Sequence, residues 1–270
     1  MHSFVTSDGV RIAYYIDDFT APWRRAPTLF LHHSAMSSAR RMYTMVPALA
    51  RYCRVVRMDT RGHGASEVPP EDRELSLPRL TRDVLELTDH LGVEKAHYMG
   101  VAAGGYLAQQ MAIHHPGRVS SALLFASKPG LRHSQAAGWI PQIERKGLRP
   151  FLAETILDRF PSGTDPAQIE WFLDEVCKND TAYIKRFILH MSGLYWMDDV
   201  NRIQCPTLIV APGDEPIGDV TAYDEMKKRI ADSELLVYAG GRHNIGDYLG
   251  DRCAADAIRF LDRRFGIRTC

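Results

Sequence analysis

Three short stretches of the chain carry residues that could do chemistry together. "MGVAAGG" places Gly100 and Gly105 around a turn after an apolar run, "PGDEPIG" carries the adjacent carboxylates Asp214 and Glu215, and "GGRHNIG" carries His243. A nucleophile, an acid and a histidine in one site can transfer acyl groups, because the histidine removes the nucleophile's proton and the carboxylate fixes the histidine's tautomer. The chain order nucleophile position, acid, histidine therefore predicts one site built from all three.

The first stretch has no nucleophile of its own. "KAHYMGVAAGGYLAQQMA" predicts a strand, a sharp glycine turn and a helix, and its turn matches the pattern G-x-S-x-G with Ala102 at the serine position. Flanking glycines allow a strained central residue to project from such a turn while the helix packs closely. The alternative, a glycine-rich turn needed only for packing, is open for this stretch taken alone.

The elements that must position these turns follow an alternating pattern. Short apolar runs alternate with amphipathic helical segments, and the predicted strands are "VRIAYYI", "PTLFLHH", "CRVVRMD", "KAHYMGV", "SSALLFA", "PTLIVAP" and "ELLVYAG". Strands that are apolar on both faces and separated by helices predict a mainly parallel α/β sheet covered on both sides. The N-terminal "FVTSDGVRIAYY" predicts an antiparallel hairpin that turns at Asp8-Gly9. Ligands of such sheets bind beyond the carboxyl ends of the strands, where the three stretches lie.

Between Ser127 and Ile203 the strand pattern stops and only helical patterns follow, broken by prolines and by Gly193. This segment is rich in large side chains that solvated helices do not need: Trp139, Phe151, Trp171, Phe172, Phe187, Tyr195 and Trp196. We therefore expect residues 128–202 to form a helical cap over the carboxyl ends of the strands. Residues 1–127 and 203–270 are then the core.

Over nearly its whole length the sequence resembles the α/β-hydrolase superfamily. Besides the three stretches, "LHHSAMSS" resembles the family's oxyanion loop after the third strand, "MDTRGHGAS" its turn after the fourth, and "HHPGRVSSALLFAS" the segment after the elbow helix. The resemblance implies an α/β-hydrolase fold with a mostly parallel central sheet, flanking helices and a helical cap inserted after the sixth strand.

The resemblance also assigns roles to residues. It places Ala102 at the nucleophile position and His243 as the base, with Glu215 or Asp214 as the acid. Glu215 is favoured because the family's acid usually comes directly before a proline or another residue that leads to Ile or Val at the end of this turn, and Pro216-Ile217 follows Glu215 here.

The backbone N–H groups of Ser34 and Ala103 would form the oxyanion hole, which the change at position 102 leaves intact. His33 stands where the family often has glycine and is expected to line the pocket. Trp139, Tyr195 and Trp196 are expected to bind substrate from the cap, with the alternative that the last two belong to the core of the cap.

The turns and the single compact cap resemble the branch that holds enol-lactonases, acyl-lactonases, small-ester hydrolases and ring-fission C–C hydrolases. That resemblance implies a hydrolase of a carboxylic ester or lactone of a small to medium, partly apolar or aromatic acid. Hydrolysis of a C–C bond in a dienoate is the alternative.

Ala102 itself allows three interpretations. The natural protein has serine there and this chain is an inactivated form; or alanine is natural and the protein is a sensor or carrier; or it is a cofactor-free enzyme that uses His243 without a covalent step. The acid and the histidine that accompany Ala102 favour the inactivated hydrolase.

The composition of the chain disfavours two classes of binding partner. Lys+Arg 33 against Asp+Glu 33 and the absence of long charge runs disfavour partners such as nucleic acid and anionic membranes. The N-terminus shows no basic and apolar leader pattern, so a cytoplasmic location is expected.

Five scattered cysteines (Cys53, Cys177, Cys205, Cys253 and Cys270) indicate reduced thiols. No cofactor and no metal are expected, since the pair His32-His33 lacks further residues at ligand spacing. The expected partner is a small-molecule ester or lactone, and a homodimer is an open alternative to a monomer.

Overall fold

The computed structural model describes residues 1–132 and 134–268. Cys270 lies outside these residues, and the four described cysteines are free thiols. Within the described chain, eight strands form one sheet: β1 (His2–Val5), β2 (Arg11–Asp17), β3 (Thr28–His32), β4 (Arg54–Met58), β5 (Ala96–Val101), β6 (Val119–Phe125), β7 (Thr207–Pro212) and β8 (Ser233–Tyr238). The strands lie in the order β1-β2-β4-β3-β5-β6-β7-β8.

The sheet is mostly parallel, as predicted. Strands β3 and β5 to β8 run parallel to all their neighbours, β4 is parallel to β3, and β2 pairs antiparallel with both β1 and β4. The predicted N-terminal hairpin is confirmed, because β1 and β2 pair up to Val5 and Arg11 and the turn between them contains Gly9 at φ 87°. Only glycine adopts such a backbone angle without a steric penalty.

Ten α-helices follow the strands in the described part of the chain: α1 (Val46–Leu49), α2 (Leu77–His90), α3 (Ala103–His114), α4 (Trp139–Lys146), α5 (Leu148–Glu154), α6 (Pro166–Cys177), α7 (Thr181–Ser192), α8 (Thr221–Arg229), α9 (Ile245–Tyr248) and α10 (Gly250–Phe265). Helix α2 illustrates how they start, since the Ser76 hydroxyl accepts the Arg79 N–H and satisfies one of the free donors of the first turn. Its apolar residues Leu80, Val84 and Leu87 recur at helical spacing and are buried.

Both faces of the sheet are buried. Every residue of β5 and β7 is buried, and successive side chains of β5 enter opposite layers. Tyr98 packs with Leu107 of helix α3 in one hydrophobic cluster, whereas Met99 packs with Ile258 of helix α10 in the other. The central strands therefore form a rigid support for the turns at their carboxyl ends.

We call residues 128–202 the cap segment. Its regular structure is helical: α4 to α7 and short 3-10 helices, of which the last is Met197–Arg202. Phe151, Phe160 and Phe172 share a separate hydrophobic cluster, while Phe187 packs into the cluster of the sheet. The segment thus follows the sixth strand and lies against the core, and its action as a cap stays a prediction. No described helix has the length and apolar character that a bilayer crossing requires.

Candidate active site

Ala102 occupies a strained position between strand β5 and helix α3. Its backbone has φ 48° and ψ −118°, outside the regions that residues with a side chain ordinarily adopt. Its N–H donates to the carbonyl of Phe125 at 2.8 Å, and its own carbonyl accepts the N–H of Gly105 at 2.9 Å. Such strain persists only where the surroundings impose it, and it concentrates at functional sites.

Two neighbouring residues share the unusual backbone. Among the described residues other than glycine, Met36 (φ 55°) and Ala126 (φ 49°) also have positive φ. Met36 lies in the loop after β3, and Ala126 follows β6 directly. The three residues with strained backbone therefore lie at the carboxyl ends of the adjacent strands β3, β5 and β6.

The glycines of the elbow are required for close packing. A Cβ on Gly100 would overlap the backbone of Gly104 and Gly105, and a Cβ on Gly104 would overlap the carbonyls of His32 and His33. Helix α3 therefore approaches the strands as closely as its backbone allows. The glycine spacing that the sequence analysis noted is a steric requirement of this approach.

His243 and Glu215 form a hydrogen-bonded pair. Nδ1 of His243 lies 2.7 Å from Oε2 of Glu215, whose side chain has no exposed surface. The other carboxylate oxygen accepts the N–H of Ile217 at 2.9 Å, which fixes its orientation. With Nδ1–H donating to the carboxylate, Nε2 of His243 carries the lone pair that can accept a proton.

Opposing effects set the ionisation of Glu215. Burial favours the neutral acid, but the electrostatic attraction and hydrogen bond of His243, the Lys128 ammonium and the Ile217 N–H favour the carboxylate, and the balance lowers the pKa of Glu215 to about 2. The Lys128 ammonium lies 3.8 Å from Oε2. Glu215 is therefore ionised at neutral pH, as the orientation of a catalytic histidine requires.

Asp214, the other candidate acid, points elsewhere. Its carboxylate is more than half exposed and pairs with Arg242 at 3.1 Å. The structure thus brings Glu215, and not Asp214, to His243.

His33 holds the loop that carries Ser34. Its Nε2 accepts the N–H of Thr60 at 2.9 Å, and its Nδ1–H donates to the carbonyl of Ser34 at 2.7 Å. Burial lowers the pKa of His33 to about 4, so the ring is neutral at pH 7 and one nitrogen accepts while the other donates. A glycine could make neither bond.

Two small cavities meet at Ser34. One, of about 10 Å³, is shared by Ser34 and Ala103 with His33 and Phe187. The other, of about 40 Å³, is lined by Ser34, Met36, His243, Trp139 and Arg159 with the remaining residues Ala35, Arg41, Phe172, Val176 and Asn244. Ser34 therefore lies between Ala103 in one cavity and His243 in the other, and residues of the cap segment line both cavities.

The other predicted cap residues lie apart from these cavities. Tyr195 lines a separate cavity of about 390 Å³ together with Lys128. Trp196 is buried against Tyr106, and its indole N–H donates to Oε1 of Gln109 at 3.0 Å. Of the aromatic residues expected to bind substrate, only Trp139 shares a cavity with His243 in the described chain.

Sequence reasoning missed two buried arginines of the site, Arg41 and Arg159. Nothing in "ARRMY" or "LDRFP" distinguishes these residues from the many exposed arginines of the chain. No group of three or more His, Cys, Asp or Glu side chains suited to a metal occurs within residues 1–132 and 134–268.

The sequence and the fold are similar to those of several known proteins. A family model described as the alpha/beta hydrolase fold matches residues 27–155. The chain is 26% identical to 3-oxoadipate enol-lactonase 1 of Acinetobacter baylyi over 230 residues, which are 78% of this chain and 80% of that protein. The chain is 28% identical in sequence to a hydrolase from Pseudomonas aeruginosa PA01. The two structures superpose with a TM-score of 0.84 over 96% of this chain and 97% of that chain. The enol-lactonase from Burkholderia xenovorans LB400 is similar in fold, with 20% identity, a TM-score of 0.87 and coverage of 96% and 99%.

Proposed function

Because this chain has the α/β-hydrolase fold, we propose that its site is that of a carboxylic ester or lactone hydrolase in which Ala102 replaces the nucleophilic serine. The substrate is small to medium in size and partly apolar. Similarity to enol-lactonases and to a thermophilic esterase from Thermogutta terrifontis supports this choice of bond.

One observation carries the proposal. Ala102 holds the φ and ψ of a projecting elbow residue although its methyl group can neither attack a substrate nor bond to a histidine, while His243 and Glu215 keep a 2.7 Å hydrogen bond. Backbone strain and a buried carboxylate both cost free energy, so their retention side by side is typical of a functional site. A serine at position 102 would use both features.

The chemistry of the serine form follows from the residues present. The serine Oγ attacks the carbonyl carbon while its proton passes to Nε2 of His243, and the N–H groups of Ser34 and Ala103 stabilise the resulting oxyanion. The bond to the leaving oxygen then breaks, and that oxygen takes the proton from His243. Water attacks the acyl group with His243 again as base, which releases the acid and restores the serine.

With alanine at position 102 the first bond cannot form. The oxyanion donors are main-chain groups, so binding persists while covalent turnover is lost. Residual catalysis should not exceed roughly 10³–10⁴-fold over water.

The test is Ala102→Ser. We expect the variant to hydrolyse simple 4-nitrophenyl esters and to be labelled at the new serine by a sulfonyl fluoride, as measured by mass spectrometry. Ala102→Ser with His243→Ala in addition is the control, and it should take no label. A folded Ala102→Ser protein that cleaves no ester and takes no label would refute the hydrolase and favour a binding protein or a non-covalent enzyme.

A further inference from the structure

Two buried arginines line the cavity that contains His243, and their surroundings differ. Arg41 is matched by a carboxylate, because its Nε and Nη2 donate to Asp247 at 3.0 and 2.6 Å. Its side chain is 2% exposed, and its charge is therefore compensated within the protein. Arg159 is 3% exposed and has no such partner.

The guanidinium of Arg159 is only partly satisfied. Nη1 donates to the carbonyl of Thr155 at 3.0 Å and to its hydroxyl at 2.9 Å. Nη2 is buried and has no hydrogen-bond partner, and no carboxylate of the described residues lies within ion-pair distance. The rings of Trp139 and Phe151 lie 5.3 and 5.9 Å from the guanidinium carbon and provide an apolar wall.

The backbone of Arg159 contacts the loop that carries His243. Its carbonyl accepts the N–H of Asn244 at 3.0 Å, and the N–H of His243 points at the carbonyl of Asp158 at 3.4 Å. The same cavity, of about 40 Å³, is bounded by Arg159, His243 and Ser34. A group bound to Nη2 would therefore lie beside the proposed base and oxyanion hole.

The guanidinium carries its charge in this position. Burial lowers the pKa of Arg159 to about 10, so the group is protonated at neutral pH. The carboxylates of Asp158 and Glu215 attract this cation from beyond ion-pair distance, but a buried cation without a direct counter-charge is unfavourable for folding. Its retention next to the reacting groups indicates that an anion from outside the chain completes the site.

We propose that Arg159 binds a carboxylate of the substrate, which makes the substrate an ester or lactone that carries a free carboxylate, such as a half-ester of a dicarboxylic acid. The inference rests on the proposed function of the same site. Planar Arg–carboxylate pairing is directional and strong when desolvated. The aromatic rings of Trp139 and Phe172, which line the same cavity, contact the carbon chain between the two ends of the substrate.

The first experiment measures binding to the protein as it is, with Ala102. We expect at least one of succinate, glutarate and adipate to bind in calorimetric titrations more tightly than the corresponding neutral diamides. Arg159→Met should weaken that binding by roughly 100-fold, as expected for loss of a buried charge-assisted pair. Arg149→Met removes an exposed cation of the same segment and should leave the dissociation constant unchanged.

The second experiment measures discrimination in the Ala102→Ser background. The ratio of kcat/KM for mono-4-nitrophenyl adipate to that for its methyl-capped diester should fall by roughly 100-fold in Arg159→Met, and Arg159→Lys should restore part of it. An unchanged ratio, or dicarboxylates that bind no better than diamides, would overturn the role of Arg159. If Ala102→Ser cleaves neither ester, the hydrolase function fails, and the titrations with Ala102 still decide whether Arg159 binds carboxylates.

Thermal unfolding distinguishes a binding role from a structural one. Arg159→Met should keep or raise the Tm, because it removes a buried cation that lacks a counter-charge. Arg41→Met, in contrast, should lower the Tm, because it leaves Asp247 buried without its partner. A Tm loss in Arg159→Met as large as that in Arg41→Met, together with unchanged dicarboxylate binding, would make Arg159 structural.

Discussion

At the scale of single residues, the choice between two adjacent carboxylates can be tested directly. The Glu215 carboxylate is buried and bonds to His243, whereas the Asp214 carboxylate is more than half exposed and pairs with Arg242. In the Ala102→Ser background, Glu215→Gln should lower kcat by roughly 10³–10⁴-fold, because the amide no longer holds the correct histidine tautomer. Steady-state kinetics with a 4-nitrophenyl ester measures the effect.

Asp214→Asn is the matched control for this prediction. Its carboxylate makes one exposed ion pair, and such pairs contribute little to stability. We expect kcat within about threefold of the parent, since the change affects no group of the site. The reverse ranking of the two variants would assign the acid to Asp214.

At the scale of elements, we predict that the cap segment moves. The cavities beside Ser34 measure about 10 and 40 Å³, whereas sites for small molecules usually measure about 300–1,000 Å³. We therefore expect a substrate to reach His243 only when helices α4 to α7 shift or open. We expect faster backbone hydrogen exchange in these helices than in strands β5 to β7, and slower exchange in them when a ligand binds.

Helix α10 is the internal reference for the exchange experiment, since it packs on the opposite face of the sheet and should not respond to a ligand. Mass spectrometry of peptides resolves the two regions. Protection of residues 139–192 equal to that of the central strands, unchanged by saturating ligand, would contradict cap motion.

At the scale of the whole molecule, four buried histidines make stability depend on pH. Burial lowers the pKa of His32 and His63 to about 3 and that of His33 and His97 to about 4, from an ordinary value of 6.5. The unfolded chain takes up protons at these positions below pH 6.5, while the folded chain does not. Stability is therefore full above pH 6.5 and is lost as the pH falls toward 4, by about 1.4 kcal/mol per pH unit for each histidine.

His32→Phe tests this pH dependence at one position. Both ring nitrogens of His32 are buried without partners, and the ring stacks with both Phe30 and Tyr98, so phenylalanine keeps these contacts and removes one titrating group. The slope of the unfolding free energy between pH 6 and 4.5 should decrease by about 1.4 kcal/mol per pH unit, measured by urea denaturation. An equal slope in both proteins would show that His32 does not contribute.

The sequence by itself determined what depends on neighbours along the chain. Alternating apolar runs predicted the parallel sheet, Asp8-Gly9 predicted the hairpin, and the glycines around Ala102 predicted the elbow, because backbone angles and strand periodicity are local properties. The helices after the sixth strand also follow from local patterns. None of these conclusions needs contacts between distant residues.

Only the tertiary structure decided which side chains meet. Arg41 and Arg159 look alike in sequence, yet Arg41 finds Asp247, 206 residues away, while Nη2 of Arg159 is left without a partner beside His243. Trp196 lies in the core because it packs against Tyr106 of helix α3, which no local pattern reveals. Burial and charge compensation arise when distant elements pack together, so they set the electrostatics of the site and are absent from the sequence pattern.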